Sequence, residues 1–148
     1  MANGKRQGPT HKPNISDEKK PRKSRAVAAS TDSEPIVWGL ARIDNQCQWA
    51  WCDVDKATFW GKIFPRLGAF ESMTWTEAFG RANHAIPIHK LEPAARRRLE
   101  ELQLDDRDRL YRLSVQGLPR IWGVREGAKF CVLWYDATHS VYITRGNR

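Results

Sequence analysis

The segment "RLSVQGLPRIWGVREGAKFCVLWYDATHSVY", residues 112–142, decides the predicted fold. Together with the residues that flank it, it contains four short runs rich in β-branched and aromatic residues, separated by turn-forming residues. The predicted strands are 109–115, 119–126, 129–136 and 139–144. Their connections are only a few residues long, so neighbouring strands should pair antiparallel in a meander.

The region that precedes this meander is predicted to begin with a β-hairpin. Residues 36–44 are apolar with partial alternation, and residues 47–54 alternate so that Cys47, Trp49 and Trp51 share one face. The turn-like sequence at 44–46 joins the two runs. An N-terminal hairpin is therefore expected before the first helix.

Helices are predicted between the hairpin and the meander. Asp53 or Asp55 can cap a first helix, which Pro65 should end or kink. The sequence "TWTE" at 74–77 is a capping box that opens a short helix through about residue 81. Residues 83–90 contain a proline and are expected to form an extended linker. Residues 92–104 are expected to form a helix with Pro93 in its first turn.

This order of elements predicts an α+β fold in which two to three helices pack on one face of an antiparallel sheet. The predicted strand 129–136 is apolar on both sides. A sheet covered on one face should alternate apolar and polar residues, so the second face of this strand must also be covered. A helix, a partner protein or a ligand could cover it.

The basic charge of the chain is concentrated near its N-terminus. The net charge is +8, from 25 Lys and Arg against 17 Asp and Glu. Residues 1–30 hold eight of those bases and two of the acids, which leaves 25 − 8 = 17 bases and 17 − 2 = 15 acids for the rest. Residues 1–33 are expected to be a disordered basic arm, either a nucleic-acid contact or a solubilising tail, and residues 34–146 a single domain.

Several classes of protein are not supported by the sequence. No apolar run approaches the 18 residues that suggest a membrane span, and the three cysteines fit a reducing cytoplasm. Nucleotide-binding and serine-hydrolase motifs are missing, so no cofactor is expected. Cys47 and Cys52 with His84 and His89 could hold zinc, but their spacing is wide for such a site.

The predicted meander carries cations among its apolar residues. Arg120 and Trp122 share a face of one strand, and single-stranded nucleic acids are bound by such surfaces, with cations for phosphates and rings for bases. The alternative is that the tryptophans are core and the arginines are solvated at strand ends. Arg125 alternates to the other face, so it can reach the same phosphate as Arg120 only through a bulge or a twist; if only one acts, Arg120 is favoured.

The segment "LYRLSVQGLPRIWGVREGAKFCVLWYDATHSVY" (110–142) resembles the C-terminal half of the RelE/ParE-type toxin superfamily. The helix predicted over 92–104 suits the second helix of that fold, whereas the N-terminal hairpin, the helix at "TWTEAF" and the basic arm depart from it. The chain is also similar to small uncharacterised bacterial and phage proteins with features like "FESMTW" (70–75), "RIWG" (120–123) and "LWYDATHSVY" (133–142). The residues that match the toxins are Arg112, Leu113, Gly117, Arg120, Val132, Leu133, His139, Val141 and Tyr142.

The resemblance implies a metal-independent ribonuclease that cleaves mRNA, including mRNA on the ribosome, and that a small antitoxin protein inhibits. The 2′-hydroxyl would attack the adjacent phosphate, which requires a base, an acid and a cation for the phosphorane. The implied catalytic residues are His139 as acid or base, Arg120 and Arg125 on the phosphate, and Tyr142. The implied substrate-binding residues are Arg112 and Lys129 for phosphates and Trp122 and Trp134 for bases.

Structural roles remain open for the same residues. His139 could be a turn residue that caps the last hairpin, and Tyr142 a packed strand residue. The alternative function is a non-catalytic module that binds protein or nucleic acid on the same scaffold, including a gyrase-poison-like toxin. An enzyme requires His139 to lie within reach of Arg120 or Arg125, whereas a binding module requires only an exposed surface of tryptophans and arginines.

Overall fold

The computed structural model describes residues 30–80 and 83–144. The predicted disorder of the arm therefore lies outside the described residues up to position 29. Thr31 and Asp32 already belong to the packed domain, because both accept hydrogen bonds from Arg125 at 2.8 Å. The folded region thus extends at least three residues before the predicted boundary at Glu34.

A five-stranded mixed sheet forms the centre of the domain, and the fold is α+β as predicted. The spatial order of the strands is β1-β5-β4-β3-β2, and β2 to β5 are joined antiparallel. The strand predicted over 129–136 has the predicted bounds, and the two before it differ by one residue at an end. The strands are β1 (Val37–Gly39), β2 (His84–Pro87), β3 (Arg109–Ser114), β4 (Arg120–Glu126) and β5 (Lys129–Asp136).

The predicted N-terminal hairpin is wrong. β1 pairs parallel with β5, and the second predicted strand is replaced by irregular chain and a 3₁₀ turn at Trp51–Asp53. Trp49 and Trp51 lie on opposite sides of the sheet, Trp49 against Trp134 and Trp51 against Tyr135. Burial of both indoles against β5 overrides the local alternation that predicted a strand.

The fourth predicted strand of the meander, 139–144, is also wrong. Asp136 ends β5 and accepts hydrogen bonds from the backbone N–H groups of Ser140 and Val141, both at 2.9 Å. This carboxylate turns the chain away from the ladder, and residues 137–144 have no regular structure. The extended linker predicted over 83–90 contains the edge strand β2. Pro87 is the last residue of β2, so its missing N–H does not interrupt the hydrogen bonds between the central strands.

Three helices pack on the sheet. α1 consists of an α-helical turn Lys56–Thr58, a π-helical stretch Phe59–Ile63 and an α-helical stretch Phe64–Glu71. The π-helical stretch ends two residues before Pro65, and the helix continues past the proline to Glu71, so Pro65 does not end it. α2 is Trp75–Ala78 with the predicted capping box at Thr74 and Glu77. α3 is Pro93–Glu101, with Pro93 in the predicted position.

The helices cover both faces of the sheet, which corrects the expectation that they lie on one. Ala95 and Leu99 of α3 pack with Trp122 of β4, and we call this side the α3 face. Ile63, Phe70 and Trp75 pack with Ile121 and Phe130, and we call this side the α1–α2 face. Helices therefore cover both faces of the sheet at β5, the strand whose residues are apolar on both sides. No helix in the described ranges is long and apolar enough to cross a membrane.

A β-bulge between β4 and β5 changes which side chains share a face. Trp122 pairs with Trp134, but the next residue, Gly123, pairs with Val132. Leu133 and Trp134 consequently both pack on the α3 face, and the usual alternation of side chains between the two faces of a strand fails there. Gly123 is required at this position, because a Cβ would lie 2.4 Å from the Phe130 ring and 2.5 Å from the Cys131 carbonyl oxygen.

Candidate anion-binding site

Polar side chains collect at one end of the α3 face. His84, Arg112 and Trp122 are successive cross-strand partners on β2, β3 and β4, so they share that face. Arg120 lies two residues before Trp122 on the same strand and is therefore a diagonal neighbour of Arg112. We call His84, Arg112, Arg120 and Tyr142 the arginine cluster.

Arg112 is the buried centre of this cluster, with only 8% of the residue exposed. Its Nη2 lies 2.8 Å from Nδ1 of His84, and its guanidinium carbon lies 5.8 and 5.9 Å from the ring centres of Trp122 and Tyr142. Its Nε and Nη1 are buried and have no hydrogen-bond partner in the described chain. Burial lowers the pKa of Arg112, and the neighbouring charge of Arg120 lowers it further.

Arg120 folds back over the turn that connects β3 and β4. Its Nη1 donates to the carbonyl oxygens of Gly117, Leu118 and Pro119, at 2.6, 2.8 and 3.0 Å. Its Nε is buried and has no partner among the residues described. Burial lowers the pKa of Arg120 as well. Both arginines therefore have donors that protein acceptors do not satisfy.

Asp136 is the cross-strand partner of Arg120. Its negative charge opposes the lowering of the pKa values of Arg112 and Arg120. It is fully buried, and its oxygens accept from the Ser140 N–H and hydroxyl, from the Val141 N–H and, at 3.4 Å, from the Trp122 indole. Its acceptor capacity is thus used by the loop and the core. The two guanidinium groups have no ion pair with any carboxylate in the described residues, so the cluster is net positive.

His84 was missed as a member of this site by sequence reasoning. An arginine can only donate, so Nδ1 of His84 accepts from Arg112 and the ring proton lies on Nε2. Burial, and then the charges of Arg112 and Arg120, lower the pKa of His84. The ring is therefore neutral at pH 7. Only the β2–β3 register places His84 beside Arg112, and the proline-containing segment 83–90 did not predict that register.

His139 lies half-buried in the loop after β5, in the left-handed region with φ 63°. Within the described residues its side chain makes no hydrogen bond. Its connection to the cluster runs through Asp136, which pairs with Arg120 and binds the backbone of Ser140, the next residue. The reach of His139 to Arg120 or Arg125, which an enzyme requires, stays a prediction.

Arg125 and Lys129 lie away from the cluster. Arg125 is on the α1–α2 face, where its guanidinium carbon is 4.0 Å from the ring centre of Trp75 and its Nη2 donates to Thr31 and Asp32. Lys129 is exposed at the start of β5, seven residues from Asp136, which is about 23 Å along a strand. The structure thus does not bring Arg125 to the same face as Arg120, and the phosphate contact predicted for Lys129 lies outside the arginine cluster.

The structure also corrects the predicted base-stacking role of Trp122 and Trp134. Both have 0% exposure, and Trp134 donates from its indole to Asp44 at 2.9 Å. The alternative that these tryptophans are core residues is confirmed. Tyr142 is half-buried beside Arg112, so it both packs on the α3 face and borders the cluster.

Cys47 and Cys131 do not have the properties of reactive thiols. Burial raises the pKa of Cys47 to about 11, and it also raises the pKa of the buried Cys131, so both are neutral thiols at pH 7. No group of three or more His, Cys, Asp or Glu side chains in residues 30–80 and 83–144 is arranged to hold a metal ion.

Comparison with known proteins does not identify a family for this chain. Neither a protein-family model nor a curated protein nor a solved structure matches the chain significantly.

Proposed function

We propose that this protein binds the phosphodiester backbone of RNA at the arginine cluster and cleaves it without a metal ion. The supporting observation is the pair Arg112 and Arg120, two cations on one face that, within residues 30–80 and 83–144, have unsatisfied donors and no ion-paired carboxylate. A buried cation is unfavourable unless it is paired and hydrogen-bonded. A phosphate group would supply the missing charge and the missing acceptors.

The proposed chemistry uses the cluster and the loop beside it. The 2′-oxygen of a ribose attacks the adjacent phosphorus and the 5′-oxygen leaves, which produces a 2′,3′-cyclic phosphate and a 5′-hydroxyl. Arg112 and Arg120 stabilise the phosphorane, and Tyr142 orients it. When Arg112 turns from His84 to the phosphate, Nδ1 of the neutral His84 becomes free to accept the 2′-hydroxyl proton. His139 then protonates the leaving oxygen.

The wider role that we propose is that of a cytoplasmic, toxin-like endoribonuclease. Its substrate would be mRNA, free or on the ribosome, and its inhibitor would be a small antitoxin protein. The eight basic residues within positions 1–30 would add phosphate contacts to those of the cluster. These assignments extend the resemblance of residues 110–142 to RelE/ParE-type toxins.

A binding module that does not cleave RNA is the second candidate. It is favoured by two observations: Arg112 occupies Nδ1 of His84, and no hydrogen bond joins His139 to the arginines in the described part of the chain. The phosphate-binding role of the arginines is the same in both candidates, so cleavage decides between them.

The test is a cleavage and binding assay with the purified full-length protein and labelled single-stranded RNA in EDTA, repeated in a translating lysate. The variants are Arg120→Ala, His84→Ala and His139→Ala, with Arg97→Ala as the charge-matched control, because Arg97 is exposed on α3 away from the cluster. We expect cyclic-phosphate ends from the wild type and from Arg97→Ala. Cleavage should be lost in the other variants, and Arg120→Ala should bind RNA at least about tenfold more weakly.

Two other results are informative. RNA that is bound in an Arg120-dependent way but never cleaved would establish the binding module. Folded wild-type protein that binds RNA no better than Arg120→Ala does would exclude the arginine cluster as the RNA site in both candidates.

A further inference from the structure

A groove lies between β1 and α1, on the opposite side of the sheet from the arginine cluster. It encloses about 390 Å³, which is within the range of binding cavities in proteins. Its lining is apolar except for Glu71. The residues that matter here are Trp38, Leu40, Trp51, Phe64, Gly68 and Glu71.

Large apolar side chains beside the groove are exposed. Leu40 and Phe64, which line it, are 64% and 53% exposed, and Trp60, whose ring centre lies 4.9 Å from that of Phe64, is 59% exposed. Contiguous exposed aromatic and aliphatic groups of this kind mark interaction sites on soluble proteins. The groove and its rim together therefore form an apolar surface that lacks a cover in the described part of the chain.

The backbone at the edge of the groove is open. β1 is an edge strand that pairs only with β5, through bonds such as Val37 N–H to the Ala128 carbonyl at 3.0 Å. The preceding residue, Ile36, donates in the opposite direction, to the Met73 carbonyl at 3.1 Å. Peptide groups alternate along a strand, so the N–H and C=O of Trp38 point to the outer edge, where the described chain provides no further strand.

The polar groups around the groove indicate what kind of occupant it fits. The indole nitrogens of Trp38 and Trp51 are buried and have no acceptor among the described residues. A polypeptide brings a backbone that can pair with Trp38, whereas an acyl chain does not. Glu71 is exposed at the rim, so its carboxylate favours a Lys or Arg in the occupant.

We infer that this groove binds an extended segment of a partner protein, which adds beside β1 as a sixth strand. The segment carries large apolar side chains that enter the groove, and a neighbouring Lys or Arg that pairs with Glu71. Strand addition of this type obtains affinity from main-chain hydrogen bonds and specificity from side-chain pockets. The inference rests on the groove alone and does not depend on the proposed ribonuclease activity.

The experiment is a selection of random 12-residue displayed peptides on the full-length protein, followed by affinity measurements with the recovered peptides. Gly68→Trp is the blocking variant, because a Cβ at Gly68 meets no atom within 4 Å and the glycine lines the groove. Gly61→Trp is the matched control, since its Cβ also meets open space but Gly61 does not line the groove. Glu71→Lys tests the charge.

We expect recovered peptides with an apolar core and an adjacent basic residue. Their affinity should fall at least about tenfold for Gly68→Trp, fall for Glu71→Lys, and stay unchanged for Gly61→Trp. Peptides that bind wild type and Gly68→Trp equally, or a selection that recovers no binders, would overturn the inference. So would light scattering that shows a wild-type dimer abolished by Gly68→Trp, or vesicle binding abolished by the same change, because the occupant would then be a second copy or a lipid surface.

Discussion

Arg112 donates a hydrogen bond from Nη2 to Nδ1 of His84 across 2.8 Å, between the edge strand β2 and its neighbour β3. This contact joins the residue on which the proposed site is centred to a histidine that the sequence pattern did not identify. It also determines the tautomer of His84, because the guanidinium has no lone pair to offer. The state of His84 therefore reports on where Arg112 points.

The first prediction concerns the pKa of His84, measured by an NMR titration of its ring proton. In the wild type this pKa should lie below the ordinary value of about 6.5. Arg112→Gln should raise the pKa, but not fully to the ordinary value, because burial is the larger cause of the shift. A pKa that is unchanged or lower in folded Arg112→Gln would contradict the arrangement.

The sign of this shift also predicts how His84 affects stability. A histidine whose folded pKa is lowered contributes stability above its unfolded pKa and loses it as the pH falls through the folded value. The free energy of unfolding of the wild type should therefore decrease below about pH 6.5 relative to that of His84→Gln. Urea denaturation of both proteins at several pH values measures this difference, and parallel curves would refute it.

Replacement of Arg112 by methionine should affect RNA binding and the free energy of unfolding in opposite directions. Arg112 is buried with two unsatisfied nitrogens, so an apolar side chain of similar length should raise the free energy of unfolding by about 1 kcal/mol. The same change should abolish RNA binding. Urea denaturation and RNA titration check the two effects. A loss of stability of more than about 2 kcal/mol would mean instead that Arg112 is structural.

The ion pair of Asp44 and Arg98 should be a strong contributor to stability. Asp44 is 5% exposed and accepts from Nε and Nη2 of Arg98, both at 2.8 Å, and from the Trp134 indole. The hydrogen bond from Arg98 holds the pKa of Asp44 well below its usual range. Asp44→Asn should lower the free energy of unfolding by about 3 kcal/mol. This is near the low end of the cost of breaking a buried ion pair, because a fifth of the Arg98 side chain is exposed.

The cost of Asp44→Asn should depend on pH in a defined direction. A carboxylate with a lowered folded pKa contributes its full stabilisation above the unfolded pKa, near 3.8, and loses it as the pH falls towards the folded value. The difference between wild type and variant should thus be constant from pH 7 to about pH 5 and shrink in more acid solution. A difference that grows towards acid pH would show that the partners are assigned wrongly.

Two glycine substitutions should have opposite effects. Gly123→Ala should destabilise the domain by about 3 kcal/mol, because its Cβ would overlap the Phe130 ring and the Cys131 carbonyl. Gly68→Ala should stabilise it by about 0.5–1 kcal/mol, because the Cβ meets open space in a helix. Thermal unfolding of both variants provides the comparison. Equal effects would mean that Phe130 does not cross β4 at Gly123.

Local chemistry allowed the start of two helices to be predicted, and the bounds of three strands to within one residue. Thr74 and Glu77 satisfy each other's backbone N–H groups, and Pro93 fits the first turn of a helix whichever residues pack against it. The runs that became β3, β4 and β5 are joined by turns too short for any other pairing. Arg112, Arg120 and Tyr142 were identified as candidates, and the structure brings those three together.

Only the tertiary structure decided the other features, because they depend on contacts between residues distant in the chain. Burial of Trp49 and Trp51 on opposite sides of β5 replaced the expected hairpin, and the carboxylate of Asp136 removed the expected last strand. The register of β2 on β3 brought His84 to Arg112, while β4 placed Arg125 on the other face. By itself the sequence determined the strands β3 to β5, the first turns of α2 and α3, and which residues carry charge. Packing determined which charges meet, because pairing across the sheet is not encoded by local spacing.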